Sequence, residues 1–455
     1  MLDVLNEAQS EKKENENEDD KAFTNVDAPV ERPRLRRIRL GLLGLGNVGQ
    51  AVVRACHVSK SVFRNRGLDI VVDAALVRDT SKTRTEYDDT IKLTSDADAF
   101  FARDHDIVVE VLGGVEPARA LIERCLCAGI SVVTANKSVI AAHGKDLCSI
   151  SRRQGAGLRY EASTIAGVPF LTLLRNRLLT LPVKRVCGIL NGTSNFVLSR
   201  MNESGRPVET IVREAQSLGY AEPDPSLDLS GRDAAEKLCI ILQHLGIEDV
   251  APDAVETVGI ESLQPADLER ADTLGGVIKP VAFARVVSNG VEAFAGPAFV
   301  PNDHELARVD FEKNGVCLSD GNHTSLTLAG PGAGADVTAA TIIDDIVELC
   351  QVSHNDGLTH DRTAPLSRPS LRAPSTGWFL RVEFKNNETP FTVVSNVLQT
   401  FGITTHGLVG GPAGHGDRRV YLTTDPIERA TLEDALDKLR RFECSALSLR
   451  IAPFK

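Results

Sequence analysis

Three glycines constrain this chain more than any other feature. Gly44, Gly46 and Gly49 form G-x-G-x-x-G directly after the apolar run Ile38, Leu40, Leu42, Leu43, and directly before a helical stretch from Val48 to about His57. Such a motif carries weight only in that setting, between a buried strand and the helix it opens. Gly44 permits a tight turn, Gly46 lets backbone approach a pyrophosphate, and Gly49 lets helix and strand pack closely. Free amides at the helix start then bind the phosphates. Gly44, Leu45, Gly46, Asn47, Val48 and Gly49 are therefore the candidate dinucleotide loop.

The pattern continues as that motif requires. Strands fit Asp69 to Val77, Ile107 to Leu112 and Ile130 to Thr134, with a helix from Pro117 to Ala128 between the last two. Strand–helix alternation predicts an α/β fold with a parallel, doubly wound sheet of Rossmann type. Right-handed crossovers bring the loops after the strands, including Gly113 and Lys137, to one edge. At the end of the second strand an acidic residue usually binds the ribose hydroxyls of NAD. Here the chain reads Val77-Arg78-Asp79. Arg78 suits the 2′-phosphate of NADP, and Asp79 keeps NAD open.

Beyond Tyr160 the pattern is mixed. Helices fit Arg232 to Leu245, stopped by Gly246, and Val337 to Cys350. Pro365, Pro369 and Pro374 mark residues 361–375 as a linker. A βαββαβ unit of about 80 residues follows. Its strands are read at Trp378 to Phe384, near Gly402 to Val409, at Arg418 to Thr424 and at Ser445 to Ile451. Its helices are read at Phe391 to Phe401 and Ile427 to Arg440.

The length of 455 residues calls for more than one domain, since a single core rarely grows past about 250–300 residues. A net charge of −11 offers nucleic acid or an anionic membrane no basic face. No stretch approaches the roughly 20 apolar residues of a membrane span. The nine cysteines form no CxxC pair and have no zinc-ligand spacing, so they read as free thiols of a reducing, cytoplasmic compartment. Residues 1–36, rich in acidic residues such as Glu11, Glu14, Asp19 and Asp20, offer too little apolar surface to order and read as disordered.

Two lysines carry the candidate chemistry. Lys137 lies just past the fourth strand in Thr134-Ala135-Asn136-Lys137, and Lys237 lies in the 232–245 helix four residues after Asp233, on the same face. Glu222, Asp224 and Asp228 bring carboxylates to the Pro-rich loop before that helix. An acid–ammonium pair beside a hydride donor can perform acid–base chemistry on a carbonyl. Two plainer readings stay open. Ser230 and Asp233 also have capping-box spacing, and Asp233 with Lys237 also fits a surface ion pair.

The segments GLGNVG, TANK, YEASTIAGVP, GILNGTSNF, LGYAEPDPSLDLSGRDAAEKL and GPGAGADVTAA, in this order and spacing, resemble homoserine dehydrogenase over roughly residues 37–350. The resemblance implies reversible, NAD(P)H-dependent reduction of L-aspartate 4-semialdehyde to L-homoserine, in threonine, methionine and isoleucine biosynthesis. It gives Lys237 the proton transfer, Asp233 the role of its partner, and Lys137 a place near both nicotinamide and substrate. Glu222 and Asp228 become substrate-binding residues, while Gly332 and Gly334 form a late turn returning to the cofactor. Glu161, with carbonyls of Thr164, Ala166 and Val168, matches a loop for a monovalent cation, Na⁺ or K⁺. The implied organisation is a dinucleotide domain over 37–158, joined by parts of 325–355, then a catalytic and dimerisation domain over 159–360. An α+β, ferredoxin-like unit resembling an ACT domain occupies 376–455, with Lys385-Asn386-Asn387-Glu388-Thr389-Pro390-Phe391 where a D-x-P-G effector turn is usual. A homodimer or tetramer and threonine as an effector follow from the same resemblance, and the short N-terminal segment leaves no room for a kinase domain. Two rival classes share some of these features: a nicotinamide oxidoreductase of another substrate, and a cofactor-binding sensor without turnover.

Overall fold

The computed structural model describes residues 35–85, 90–176, 183–247, 250–287, 290–321, 325–351, 370–372, 376–385, 390–410 and 419–452. The acidic N-terminal segment, most of the proline-marked linker and residues 386–389 of the expected effector turn lie outside them.

Strands β1 (Arg36–Leu43), β2 (Leu68–Leu76), β3 (Lys92–Thr94), β4 (Ile107–Glu110), β5 (Ser131–Thr134) and β6 (Leu158–Arg159) form one sheet. Its order is β3-β2-β1-β4-β5-β6, and every pair is parallel. This is the doubly wound order in which the chain direction of assembly reverses beside β1, opening a crevice at the carboxyl ends of β1 and β4. The carboxyl half of β1 and most of β2, β4 and β5 are apolar because helices cover both faces, while the arginines of β1 gather at its start. The helix Asn47–Val58 lies on one face, joined there by the late helix Ala335–Gln351, whose Ala339, Ile342 and Ile346 share a core with Val52 and Val53. The helices Ala118–Cys127 and Lys137–Gln154 lie on the other. Cys125 is buried and Cys127 exposed, on opposite sides of their helix, and all nine cysteines are free thiols.

The second sheet is mixed and has eleven strands. Its centre is the long antiparallel pair β9 (Gly276–Val287) and β10 (Gly290–Pro301), flanked by β7 (Arg185–Ile189), β11 (Lys313–Ser319) and the edge strand β12 (Ser325–Pro331). The other side of β10 takes three short parallel partners in succession: β13 (Ser370–Arg372), β8 (Glu256–Thr257) and β17 (Cys444–Ile451). The β13 segment corrects the reading of 361–375 as linker throughout, since β10 offers it an unpaired edge.

Through β17 the sheet runs on into β14 (Trp378–Phe384), β16 (Arg419–Thr424) and β15 (Thr405–Gly410). The C-terminal unit is thus βαββαβ, with its second strand three residues later than the sequence reading. One face carries the helices Pro390–Thr400 and Arg429–Arg440. The opposite face, with Phe379, Tyr421 and Leu449, packs on the helices Gly192–Ser204 and Pro265–Thr273 of the middle region. Among the described residues, no helix is long and apolar enough to cross a membrane.

Candidate active site

The glycine loop has the geometry its composition suggests. Gly44 has φ +104°, and a Cβ there would lie 2.9 Å from the Val111 carbonyl. A Cβ on Gly49 would lie 2.4 Å from the Gly44 carbonyl, so only glycine lets the helix start this close to the turn. Gly46 faces open space and caps the 47–58 helix without any side-chain hydrogen bond, which leaves first-turn amides for a pyrophosphate. These features fit a dinucleotide. Gly46 and Asn47 are exposed at the crevice, Val48 is half-buried, and the Leu45 side chain is buried in the core, so Leu45 offers a ligand only its backbone.

Past β2, Arg78 is exposed and has no hydrogen-bond partner among the described residues. Asp79 is engaged: its Oδ1 accepts from the Ser81 amide at 2.8 Å and hydroxyl at 2.6 Å, and these bonds hold its carboxyl below the usual range. Arg84, which sequence reasoning passed over, donates to the Leu45 carbonyl at 3.3 Å and to the Asp79 carbonyl at 2.8 Å, tying this loop to the glycine turn. Gly332 is buried and Gly334 exposed with φ +121°. Both lead into the 335–351 helix, and Asp336 in its first turn pairs with Arg54 of the 47–58 helix.

Lys137 is the first residue of the 137–154 helix and stands on the same strand edge, since Leu43, Glu110 and Thr134 are level in the register. The Asn136 side chain caps that helix, accepting from the Val139 amide at 3.2 Å. From the second region, the helix Arg232–His244 approaches, held by Gln243 donating to the Ala141 carbonyl at 3.0 Å. Asp233 is buried between two ammoniums. Lys137 bonds its Oδ1, and Lys237 lies 2.9 Å from Oδ2. The surface-pair reading fails because Asp233 and Lys237 are buried to 5% and 13% side-chain exposure. The capping box fails too. Gly231 caps this helix, in the left-handed region, with no side-chain bond, and the Ser230 hydroxyl donates to the Leu227 carbonyl.

The electrostatics follow from burial set against charge. Burial works against an ionised Asp233, but Lys237 and Lys137 outweigh it and hold the carboxyl well below the carboxylate range. Burial alone would lower the Lys137 pKa, yet Asp233, Glu236 and Asp228 raise it above the ordinary lysine value. Lys237 donates to the Leu190 carbonyl at 2.8 Å and forms an ion pair with Asp233 at 2.9 Å, so its ammonium, with three N–H donors, keeps capacity for a ligand.

Asn191, missed from sequence, binds the carboxylates of both Asp228 and Asp233. Its Nδ2 donates to Asp228 at 2.7 Å and to Asp233 at 2.8 Å, while its Oδ1 caps the 192–204 helix by accepting from the Ser194 amide at 2.8 Å. An Asn directly before a helical segment is an N-cap signal, but nothing in spacing reveals its second task. Burial raises the Asp228 carboxyl, and neighbouring Asp233 adds to the shift. Glu222 is not drawn into this cluster. Its side chain is exposed, and its carbonyl accepts from Gln216 at 3.2 Å.

Glu161 is buried and accepts from the Leu171 amide at 2.9 Å and the Thr172 amide at 2.5 Å. Burial raises its pKa. With Ala166, Gly167, Asp344 and Asp345 it lines a cavity of about 340 Å³, which Thr164 and Val168 do not line. The Ala166 carbonyl accepts from the Thr341 hydroxyl. A buried carboxylate and a carbonyl on one cavity are hard oxygen donors of the type a small cation takes. No group of three or more His, Cys, Asp or Glu side chains is arranged around one point among the described residues.

Comparison with known proteins agrees with this geometry. Residues 44–161 match the family model described as homoserine dehydrogenase, NAD binding domain, and residues 169–347 match the one described as homoserine dehydrogenase. A homoserine dehydrogenase of Bacillus subtilis (strain 168) is 30% identical over 417 residues, covering 90% of this chain and 96% of the relative. One of Synechocystis sp. is 36% identical over 319 residues, covering 69% and 73%. Among solved structures, a homoserine dehydrogenase from Thiobacillus denitrificans superposes with TM-score 0.82 at 29% identity, covering 92% of this chain and 98% of that one. A hyperthermophilic archaeal homoserine dehydrogenase in complex with NADPH superposes with TM-score 0.59 at 25% identity, covering 69% and 98%.

Proposed function

The chain belongs to the homoserine dehydrogenase family, and on that premise we propose that it reduces the C4 aldehyde of L-aspartate 4-semialdehyde to L-homoserine, reversibly, with NAD(P)H. The observation that carries the reading is the Lys137–Asp233–Lys237 cluster, buried at Asp233, on the strand edge that bears the glycine loop. When bound, the nicotinamide supplies the hydride. The protein must then neutralise an alkoxide. Lys237 keeps one N–H for that oxygen and delivers the proton, while Asp233 stays ionised and aims it. Lys137 adds a second positive charge beside the forming oxyanion. Asp228 accepts the substrate's ammonium, with Glu222, exposed on the preceding loop, as the second carboxylate assigned to it by the family resemblance. In the reverse direction Lys237 takes the hydroxyl proton.

NADPH is the preferred donor in this proposal, because Arg78 is open to a 2′-phosphate while Asp79 is turned away onto Ser81. Arg78→Ala is expected to raise KM for NADPH about 10-fold or more, since a charge-assisted contact contributes roughly 1.5–3 kcal/mol, and to leave NADH nearly unchanged. An unaltered NADPH preference would refute this role for Arg78.

A monovalent cation at Glu161 and the Ala166 carbonyl is supported by the buried acid on its cavity, while Thr164 and Val168, which do not line that cavity, drop out of the ligand set. We further propose a homo-oligomer, supported by the place of β12 at the end of the sheet, with no further strand beyond it among the described residues. A cytoplasmic site of action is supported by the free thiols. The βαββαβ unit is read as an ACT-like domain with threonine as its effector. Steady-state rates across a millimolar threonine series test that last point, and a flat series would refute it.

The function itself is tested by NADPH oxidation with L-aspartate 4-semialdehyde against succinate semialdehyde, which lacks the ammonium. Turnover with the first, and kcat/KM lower by at least about 100-fold with the second, is expected of a site whose carboxylates await that ammonium. No oxidation, or equal rates, would overturn the proposal.

A further inference from the structure

At the carboxyl end of β4, level with Leu43 and Thr134, stands a fully buried carboxylate that the chemistry above does not use. Glu110 is 0% exposed in a strand otherwise made of Ile and Val. An apolar side chain would complete this core at far lower desolvation cost, so the acid needs a reason. Its hydrogen bonds supply one. Oε1 accepts from the Leu112 amide at 2.8 Å and from Asn136 Nδ2 at 3.2 Å, and Oε2 accepts from the Thr134 hydroxyl at 2.5 Å.

Each partner belongs to a loop that shapes the site. Leu112 opens the segment carrying Gly113 and Gly114 beside the glycine turn, and Asn136 Nδ2 also donates to the Gly114 carbonyl at 2.7 Å. Thr134 Oγ1 in turn accepts from the Asn136 amide at 2.9 Å. Asn136 then caps the helix whose first residue is Lys137. One carboxylate therefore gathers two loops of the crevice and, through one asparagine, sets where the Lys137 ammonium begins.

We propose that Glu110 is a positioning residue for the reduction, acting through Asn136 to place Lys137 and to hold the 112–114 loop on the cofactor side of the crevice. The inference rests on the reductase reading above. Glu110 touches no reacting atom; its effect is exercised through Lys137.

The test is a double-mutant cycle on kcat for NADPH oxidation in the full-length enzyme, with Glu110→Ala, Lys137→Ala and the double variant, alongside thermal unfolding and the Kd for NADPH. Glu110→Ala alone is expected to lower kcat on the order of 100-fold, as a misplaced catalytic group does. In the Lys137→Ala background it is expected to cost no more than about 2-fold, because the group it places is already gone. Glu110→Gln keeps the size and an acceptor oxygen and is expected to recover kcat to within about 10-fold of wild type. An equal loss in both backgrounds, or wild-type kcat for Glu110→Ala, would overturn the proposal. Should Glu110→Ala not fold, the cycle is run with Glu110→Gln, whose loss must likewise shrink beside Lys137→Ala. A wild type that does not oxidise NADPH would sink the reductase reading; an additive cycle on an active wild type sinks only the role of Glu110.

Discussion

Asp233 holds two lysines from two helices, and its substitution has a pH signature. Because Asp233 leads the charges that keep Lys137 protonated against burial, removing it lets burial lower that ammonium's pKa. A raised lysine pKa keeps the charge present as pH climbs, so in the wild type the rate of NADPH oxidation should not fail through Lys137 in the neutral range. In Asp233→Asn the alkaline limb of kcat is expected to move to lower pH, and an unmoved limb would refute the coupling. Sequence alone offered Asp233 and Lys237 as a pair, because four-residue spacing on a helix is visible in one dimension. It could not distinguish that pair from a surface bridge, since burial comes from Lys137 and Asn191, which lie 96 and 42 residues away. Glu110 was illegible for the same reason, as an acid ending an apolar strand gives no local sign of its partners.

At the scale of elements the sequence was informative wherever periodicity and a stop signal coincide. The reading of β14 as Trp378 to Phe384 matches residue for residue, and the 232–244 helix ends one residue early. The short strands β3, β6, β8 and β13 escaped because two or three residues carry no period, and the longer β7 and β9 to β12 escaped too, in a region read only as mixed. The strand β15 was shifted because its segment, Thr405–Gly410, contains two glycines and little alternation. The glycine turn makes the sharpest element-scale expectation. In Gly49→Ala the added methyl meets the Gly44 carbonyl, so the helix must back away by a cost of about 1–3 kcal/mol. NADPH affinity should fall about 10-fold or more with it. Unchanged affinity by titration calorimetry would show that the close approach of helix and turn is not needed.

Across the whole molecule, the C-terminal unit is built into the main sheet through β10 and β17. A buried ion pair links it to the 265–273 helix of the middle region. Arg381 of β14 bonds Asp267 at 2.6 Å, where Asp267 also closes the cap of the 265–273 helix. Burial raises the Asp267 carboxyl, and Arg381→Ala would leave it unpaired at a cost of about 3–5 kcal/mol. Urea unfolding should register that loss, and a wild-type midpoint would contradict the coupling. The active site is likewise a product of the whole fold, since Lys137 comes from the dinucleotide domain and Asp233 and Lys237 from the second. The proton transfer proposed for Lys237 is probed by a single comparison: NADPH oxidation with L-aspartate 4-semialdehyde by wild type and Lys237→Ala, beside the NADPH Kd of each. The variant is expected to lose about 100- to 10,000-fold in kcat while its NADPH Kd stays within about 2-fold of wild type; turnover near the wild-type rate would contradict the assignment.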